Sequence, residues 1–364
     1  MKKFNVALAG CWHPHIHRYY PVLQKRPDTA IAGVWDTDAK RGAAYSEKLG
    51  APFVADYAEL LKRPDVDAVC ICAQTCLHHD LMVAAANAGK HIFTEKAFTL
   101  STAEALDVRD AVLRNNVKLS VACIRACTPV FRFGKMLADR AVLGDLNMVR
   151  IRNGVNWKGD AGRDLPDDWY DRQVTGGGVF VDLGMHQLYL FDWLLGEPLD
   201  ATVSAIHYFG RDIEDNVSFS LRFKNGALGV AESSATTFYS PYTFELFGTQ
   251  GTYLCRIDQD QVEVHIAGER LEAFKQAVPE GVEYECRQIG GVANNLSAES
   301  LFGTRVAIKV KAASLPPCAE PLDQWIDACV HGQPLEFGIE GAVRLARMTE
   351  GCCKALEWKK VVSF

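Results

Sequence analysis

No apolar stretch in this 364-residue chain approaches the roughly 20 residues that cross a bilayer, so the sequence offers no candidate membrane-spanning helix. Neither charge sign dominates. There are 39 basic residues against 45 acidic ones, a net charge of −6, and no basic stripe offers itself to a nucleic-acid backbone. Internal repeats and low-complexity tracts are also missing. With 48% hydrophobic and 23% charged residues, the composition is that of a folded globular protein and excludes a largely disordered one. The start, Met1-Lys2-Lys3-Phe4-Asn5-Val6-Ala7-Leu8-Ala9-Gly10, lacks the longer apolar core and small-residue cleavage site of a secretory signal. A cytoplasmic location is therefore expected. The twelve cysteines lack Cys-x-x-Cys spacing, and a chain this long buries a core without disulfide staples. Cys70, Cys72 and Cys123 sit inside apolar runs, as buried thiols in a reducing compartment do.

What is present divides the chain in two, in keeping with roughly 150 residues per domain. Up to residue 122, short apolar runs (Phe4–Ala9, Ala30–Trp35, Phe53-Val54, Asp67–Cys72, His91–Phe93, Val117–Val121) alternate with helical patterns. The helices fall at Ile16–Lys25, Ala39–Leu49, Tyr57–Lys62, Leu81–Ala88 and Ala103–Arg114, the last introduced by a Ser101/Glu104 capping box. Continuous apolar strands between helices indicate a parallel sheet covered on both faces, a doubly wound α/β domain. From 123 to 364 longer strand-like runs follow one another, at Val149–Trp157, Ala201–Phe209, Val217–Phe223, Gly226–Ser234, Tyr242–Gly248 and Gln261–Ile266. They imply a mainly antiparallel sheet, joined by helices at Val130–Arg140, Met185–Leu195, Leu322–His331 and Gly338–Glu357. The last helix has the length to pack back on the first domain. Gly268–Pro316 stays unassigned.

Three clusters carry chemistry. The first is the turn after the first strand, Gly10-Cys11-Trp12-His13-Pro14-His15. A dinucleotide pyrophosphate wants glycines here, close to a helix N-terminus. Gly10 satisfies that, while Trp12 and His15 stand where further glycines are usual. Asp36, at the end of the second strand, is where a carboxylate accepts ribose hydroxyls. An acid there favours NAD over NADP. The second cluster is Glu95-Lys96, at the strand end that lines the ligand crevice of an open parallel sheet. The third is Gly176-Gly177-Gly178 followed by Asp182 and His186, four apart on one helix face. A carboxylate beside an imidazole suits acid–base chemistry near neutral pH. Each cluster alone also reads as ordinary structure: a turn, a surface ion pair, a capped helix with a core histidine.

In this order, with Val66-Asp67-Ala68-Val69, Ala88-Gly89-Lys90-His91, Gly144-Asp145-Leu146, Trp193-Leu194-Leu195-Gly196 and Phe247–Thr252 between and after them, the motifs resemble the Gfo/Idh/MocA oxidoreductase family over nearly the whole chain. The resemblance implies an N-terminal Rossmann domain, 1–122, and a C-terminal α+β substrate and oligomerisation domain, 123–364, with an open sheet. It also implies NAD, less readily NADP, as cofactor, a sugar or polyol substrate, and a homodimer or homotetramer. It makes Lys96, Asp182 and His186 catalytic, with Arg125 and Trp157 as further substrate contacts. Cofactor contacts would come from Gly10, Cys11, Trp12, His13, His15, Asp36, Ala73, Gln74, His78, Glu95 and Lys96. The chain departs from the family pattern at Ala97, where Glu-Lys is usually followed by Pro. It departs also at Gln74-Thr75, where Pro-Asn is usual, and at Tyr189, where an acid is common.

No metal site is expected, because the alternating His13, His15 and His17, and His78-His79 with Cys70, Cys72 and Cys76, lack the spacing of a structural zinc set. Cys11 and Cys76 fall in cofactor-side loops. Trp157, Trp169 and Tyr170 read first as core or dimer packing, and a sugar could also stack on one of them. Two alternatives keep the same motifs: a glycosidase or lyase using transient oxidation, and a non-catalytic dinucleotide-binding regulator.

Overall fold

Six residues after the N-terminal lysines, five of them apolar, form β1 (Phe4–Ala9), which pairs with a strand on each side in the first sheet. The computed structural model describes residues 3–157, 165–289, 292–293, 296–297 and 304–364. Around β1 lie β2 (Thr29–Trp35), β3 (Ala68–Ile71), β4 (His91–Thr94) and β5 (Leu119–Val121), all parallel, in the order β2-β1-β3-β4-β5. The helices between them are α1 (Ile16–Lys25), α2 (Ala39–Leu49), α3 (Tyr57–Lys62), α4 (His78–Asn87) and α5 (Thr102–Arg114). Their ends follow the sequence signals. Asp38 caps α2, Gly50 closes it in the left-handed conformation, and the Ser101/Glu104 box opens α5. Phe53-Val54, expected as a strand, contributes a single bridge from Phe53 to Val34. Gly10, at φ +88°, is required where β1 ends: a Cβ there would lie 2.6 Å from the Ala73 backbone. Only glycine lets the ends of β1 and β3 converge.

After β5 the chain enters α6 (Pro129–Asp139) and then β6 (Leu146–Gly154), the middle of a ten-stranded sheet. On one side of β6 lie β9 (Leu228–Ser234), β8 (Asn216–Phe223), β7 (Pro198–Ile206) and the short β17 (Val362–Ser363). On the other lie β10 (Thr243–Gly248), β11 (Gly251–Arg256), β12 (Gln261–Ala267), β16 (Arg305–Lys311) and β13 (Tyr284–Ile289). Only β6 and β9 pair in parallel, so the sheet is open, mixed and mostly antiparallel. A two-stranded ladder of β14 (Val292–Ala293) and β15 (Leu296–Ser297) stands apart. The sequence reading leaves β11 unassigned, and Gly268–Pro316 contains α9 (Leu271–Ala277), β13 and β16. The expected bounds of β6 and β7 shift by about three residues toward the N-terminus.

Between β6 and β7 the chain makes a short helix, α7 (Arg172–Thr175), crosses the glycine run, and forms a π-turn over Phe180–Gly184. This leads directly into α8 (Met185–Leu195). The hydrophobic character of α8 all round reflects burial on nearly every side. Two further helices return to the first sheet. α10 (Pro321–His331) lays Leu322, Trp325 and Ile326 into the core that holds Val6, Leu8 and Phe93. α11 (Ile339–Trp358) contacts α5 and β5 on one side and α8 and β7 on the other. No helix among the described residues is long and apolar enough to cross a membrane. Seven cysteines are buried; of the two expected in cofactor-side loops, Cys11 is buried and Cys76 exposed.

Candidate active site

A cavity of about 1040 Å³ opens between the two sheets. The loop after β1 lines it with Cys11 to His15, and Lys96 enters just beyond β4. From the other half come Arg125, Asn153, Trp169, Asp182 and His186. A smaller recess shares Trp12, His13, Lys96, Trp169 and Asp182 with it and adds Trp157. The three sequence clusters thus meet at one place, although 86 residues separate Lys96 from Asp182.

Lys96 is buried. Its Nζ donates to Asp182 Oδ1 at 2.6 Å and to the Asp182 carbonyl at 2.7 Å. Burial alone would raise the Asp182 carboxyl, but the Lys96 ammonium outweighs it and holds the group below the ordinary carboxylate value. Asp182 is therefore committed to Lys96 and not to His186, which corrects the expectation that spacing by four couples Asp182 to the histidine. The π-turn carries Asp182, and its extra residue per turn separates the two side chains. The Lys96–Ala97 peptide is cis.

His186 finds a different partner. Its Nδ1 lies 2.9 Å from the Tyr189 hydroxyl, and the Arg125 backbone N–H donates to the same oxygen at 2.9 Å. Tyr189, three residues on, thus fills the orienting place of the missing acid. With its oxygen accepting from Arg125, the Tyr189 hydroxyl is set to donate to Nδ1. This assigns the ring hydrogen to Nε2 from the network. Burial, with the Lys96 and Arg125 charges nearby, pushes His186 well below the ordinary imidazole value, so it stays neutral near pH 7.

Glu95 lies fully buried behind the phosphate-loop turn. It accepts from Tyr19 Oη, from the Lys96 amide at 3.1 Å, and pairs with His15 Nδ1 at 3.0 Å. Burial raises the carboxyl. The His13 and His15 rings and the Lys96 charge outweigh that and hold it well below the carboxylate range. His13 Nδ1 accepts from the His15 amide at 3.2 Å, and burial pushes the ring down to about 3. Ligand atoms of His13, His15 and Glu95 lie within 4.8 Å of one another. The histidine alternation hints at only two of these, because Glu95 arrives from a distant strand. Trp12 stacks on Trp169 at 4.9 Å and donates to Asp168 at 2.6 Å, joining the turn to the second half of the chain.

Beside the turn after β1 the expectation for Asp36 changes. Its carboxylate is buried and does not line the cavity. Both oxygens are taken, by the amides of Cys11 at 2.7 Å and Asp38 at 2.8 Å and by Arg41 at 2.9 and 2.6 Å. Thr37 and Arg41 face the cavity instead. Sequence reasoning missed Arg41, although its position five residues after Asp36 on α2 was available. Gly10, Ala73, His78 and Glu95 also lie behind the lining, while Gln74 is in it. His78 braces the loop, its ring nitrogens 2.7 Å from the Ala97 carbonyl and 3.1 Å from that of Ala73.

The glycine run brings the chain close to another group, and that group, which sequence did not reveal, is Glu214. Gly178 and Phe180 donate backbone N–H groups to Glu214 Oε1 at 2.9 and 3.1 Å, and Val179 donates to the Glu214 carbonyl. A Cβ on Gly178 would fall 1.9 Å from that carbonyl. The glycines let the chain press against Glu214, which holds the start of the π-turn that carries Asp182.

A dinucleotide fits this lining. The Gly10 convergence leaves no side chain between the strand ends, the turn leads into the N-terminus of α1, and Arg41, which shares the Asp36 carboxylate with the Cys11 amide, supplies a cation beside the turn. Comparison with known proteins agrees. Residues 4–123 match the oxidoreductase family with an NAD-binding Rossmann fold, and residues 131–254 match the GFO/IDH/MocA C-terminal domain. A 1,5-anhydro-D-fructose reductase from Ensifer adhaerens is 30% identical over 240 residues, 62% of this chain and 68% of that protein. A myo-inositol 2-dehydrogenase from Thermotoga maritima is 29% identical over 238 residues, 63% and 68% of the two chains. The solved structure of an NAD-binding protein from Listeria innocua superposes with a TM-score of 0.79 at 20% identity, covering 100% of both chains.

Proposed function

The chain belongs to the Gfo/Idh/MocA oxidoreductase family, and from that premise we propose that it is an NAD(P)-dependent dehydrogenase that interconverts a hydroxyl and a carbonyl on a sugar, cyclitol or related polyol. The observation that carries this reading is the meeting of Lys96, Asp182 and His186 on one cavity with the phosphate-loop turn. A bound nicotinamide supplies the hydride acceptor or donor.

The chain's own residues supply the proton chemistry and the electrostatics. Lys96 uses two of its three hydrogens on Asp182. The third serves the reacting oxygen, where the ammonium stabilises charge developing in either direction. Asp182 orients Lys96 and balances its charge. His186 exchanges the proton. With the ring hydrogen moved to Nδ1 and donated to the Tyr189 oxygen, Nε2 accepts the hydroxyl proton during oxidation and the ring becomes an imidazolium. In reduction that imidazolium returns the Nε2 proton to the oxygen and is left neutral. Tyr189 accommodates either ring tautomer, because a hydroxyl both donates and accepts.

The Asp36–Arg41 pair bears on nucleotide choice. An unpaired Asp36 would repel a 2′-phosphate. Paired in two-pronged fashion with Arg41, it no longer presents bare charge. Both NAD and NADP are therefore accepted, the latter through Arg41. The test is a screen of sugars and cyclitols for nucleotide reduction with NAD and with NADP. Reduction by at least one polyol and its loss in Lys96→Ala support the reading, as does a selective weakening of NADP by about tenfold in Arg41→Ala. Unimpaired turnover in Lys96→Ala overturns the assignment of the proton machinery.

A further inference from the structure

We propose that the substrate carries a carboxylate, bound by Arg125, so that the polyol oxidised or reduced is a sugar acid or related hydroxy acid. The proposal rests on the dehydrogenase reading and narrows it. Arg125 lies just after β5 on the cavity wall, and its own backbone N–H holds Tyr189 against His186. The fold thus fixes its backbone beside the proton-exchanging ring. The guanidinium lies over the Tyr242 ring, 4.8 Å from the centroid, and makes no ion pair among the described residues. Its Nε is buried with no hydrogen-bond partner.

Lys96 is paired with Asp182, and Asp168 accepts from the Trp12 indole. Among the described residues, Arg125 is a cation on this wall with no ion-pair partner. Removing a cation from water without a partner is costly, and a bound anion offsets that cost.

The neighbouring side chains point to an acceptor-rich ligand as well. Asn153, 5% exposed on β6, has a buried amide nitrogen without a partner. Trp157 Nε1, in the adjoining recess, is in the same condition, and so is His13 Nε2. These are donors waiting for oxygen. A single unpaired guanidinium matches a single negative charge. A carboxylate meets its fork geometry, while a dianionic phosphate would leave one charge uncompensated.

The test is calorimetry on the NADH-loaded protein, where oxidation cannot run, with D-glucuronate, D-galacturonate and D-gluconate against D-glucose and D-galactose, and with glucose 6-phosphate as a separate arm. We expect at least one acid to bind about tenfold or more tightly than its neutral parent. The margin should shrink as salt is raised, vanish in Arg125→Gln and partly return in Arg125→Lys. If no acid outbinds its parent, or the margin survives Arg125→Gln, the proposal fails. Tighter binding of glucose 6-phosphate than of every carboxylate overturns the choice of anion. Arg125-dependent acid binding without nucleotide reduction by any sugar would sink the dehydrogenase reading and leave the anion site standing.

Discussion

At the scale of single residues, protonation is set by burial and by which atom each group holds. His186 is pushed well below the ordinary value of 6.5, so it is already neutral at that pH and gains nothing as pH rises through it. The predicted profile of kcat/KM for oxidation is flat across pH 6.5, with its acid limb well below. An acid limb centred near 6.5 would contradict this. Burial is the largest cause and the Lys96 charge the next, so Lys96→Met should move the limb of any residual activity upward. His186→Asn should lower kcat/KM by about 10²–10⁴-fold. The candidate residues were legible in the sequence because their types and order are informative. Their partners were not: Asp182 with Lys96, Asp36 with Arg41 and His186 with Tyr189 depend on rotamers and on a π-turn that spacing does not encode.

At the scale of elements, most strands and helices of the first half followed from apolar period and caps, because β3 and β5 are fully buried and β1 and β4 nearly so. The second half was harder. β11 follows β10 after only Thr249-Gln250, and β13 and β16 alternate apolar residues with charges, so neither reads as a continuous apolar run. The glycine run was visible, but its reason lay on Glu214, beyond α8 and β7. Gly178→Ala should therefore destabilise the fold by about 1–3 kcal/mol or more, since the blocking atom is backbone and cannot swing aside. Thermal unfolding followed by circular dichroism measures this. An unchanged Tm would mean that the contact with Glu214 does not hold the π-turn.

At the scale of the whole molecule, the two sheets are not separate beads. α10 crosses to the first sheet. Trp325 is fully buried against Phe4 and Phe93, and Arg26 ties Asp323 and Asp327 to the same face. Trp325→Ala should cost about 3–5 kcal/mol, measured by urea unfolding, with a single transition for both sheets; two separated transitions would show that they unfold independently. This return of the chain could not be read from local pattern, because amphipathic helices do not name the face they will cover. It packs against β1 and β4, the two strands that lead into Gly10 and Lys96, so the first sheet is completed by residues far beyond it in sequence. The central claim is that carbon-bound hydrogen passes to the nicotinamide while Lys96 and His186 manage the oxygen. Its most direct test uses a substrate found in the screen, deuterated at the reacting carbon, with mass spectrometry of the recovered nucleotide. The account predicts deuterium accumulating on the reduced nicotinamide in step with carbonyl product. Product formed with the label retained on, or returned to, the sugar carbon would contradict it.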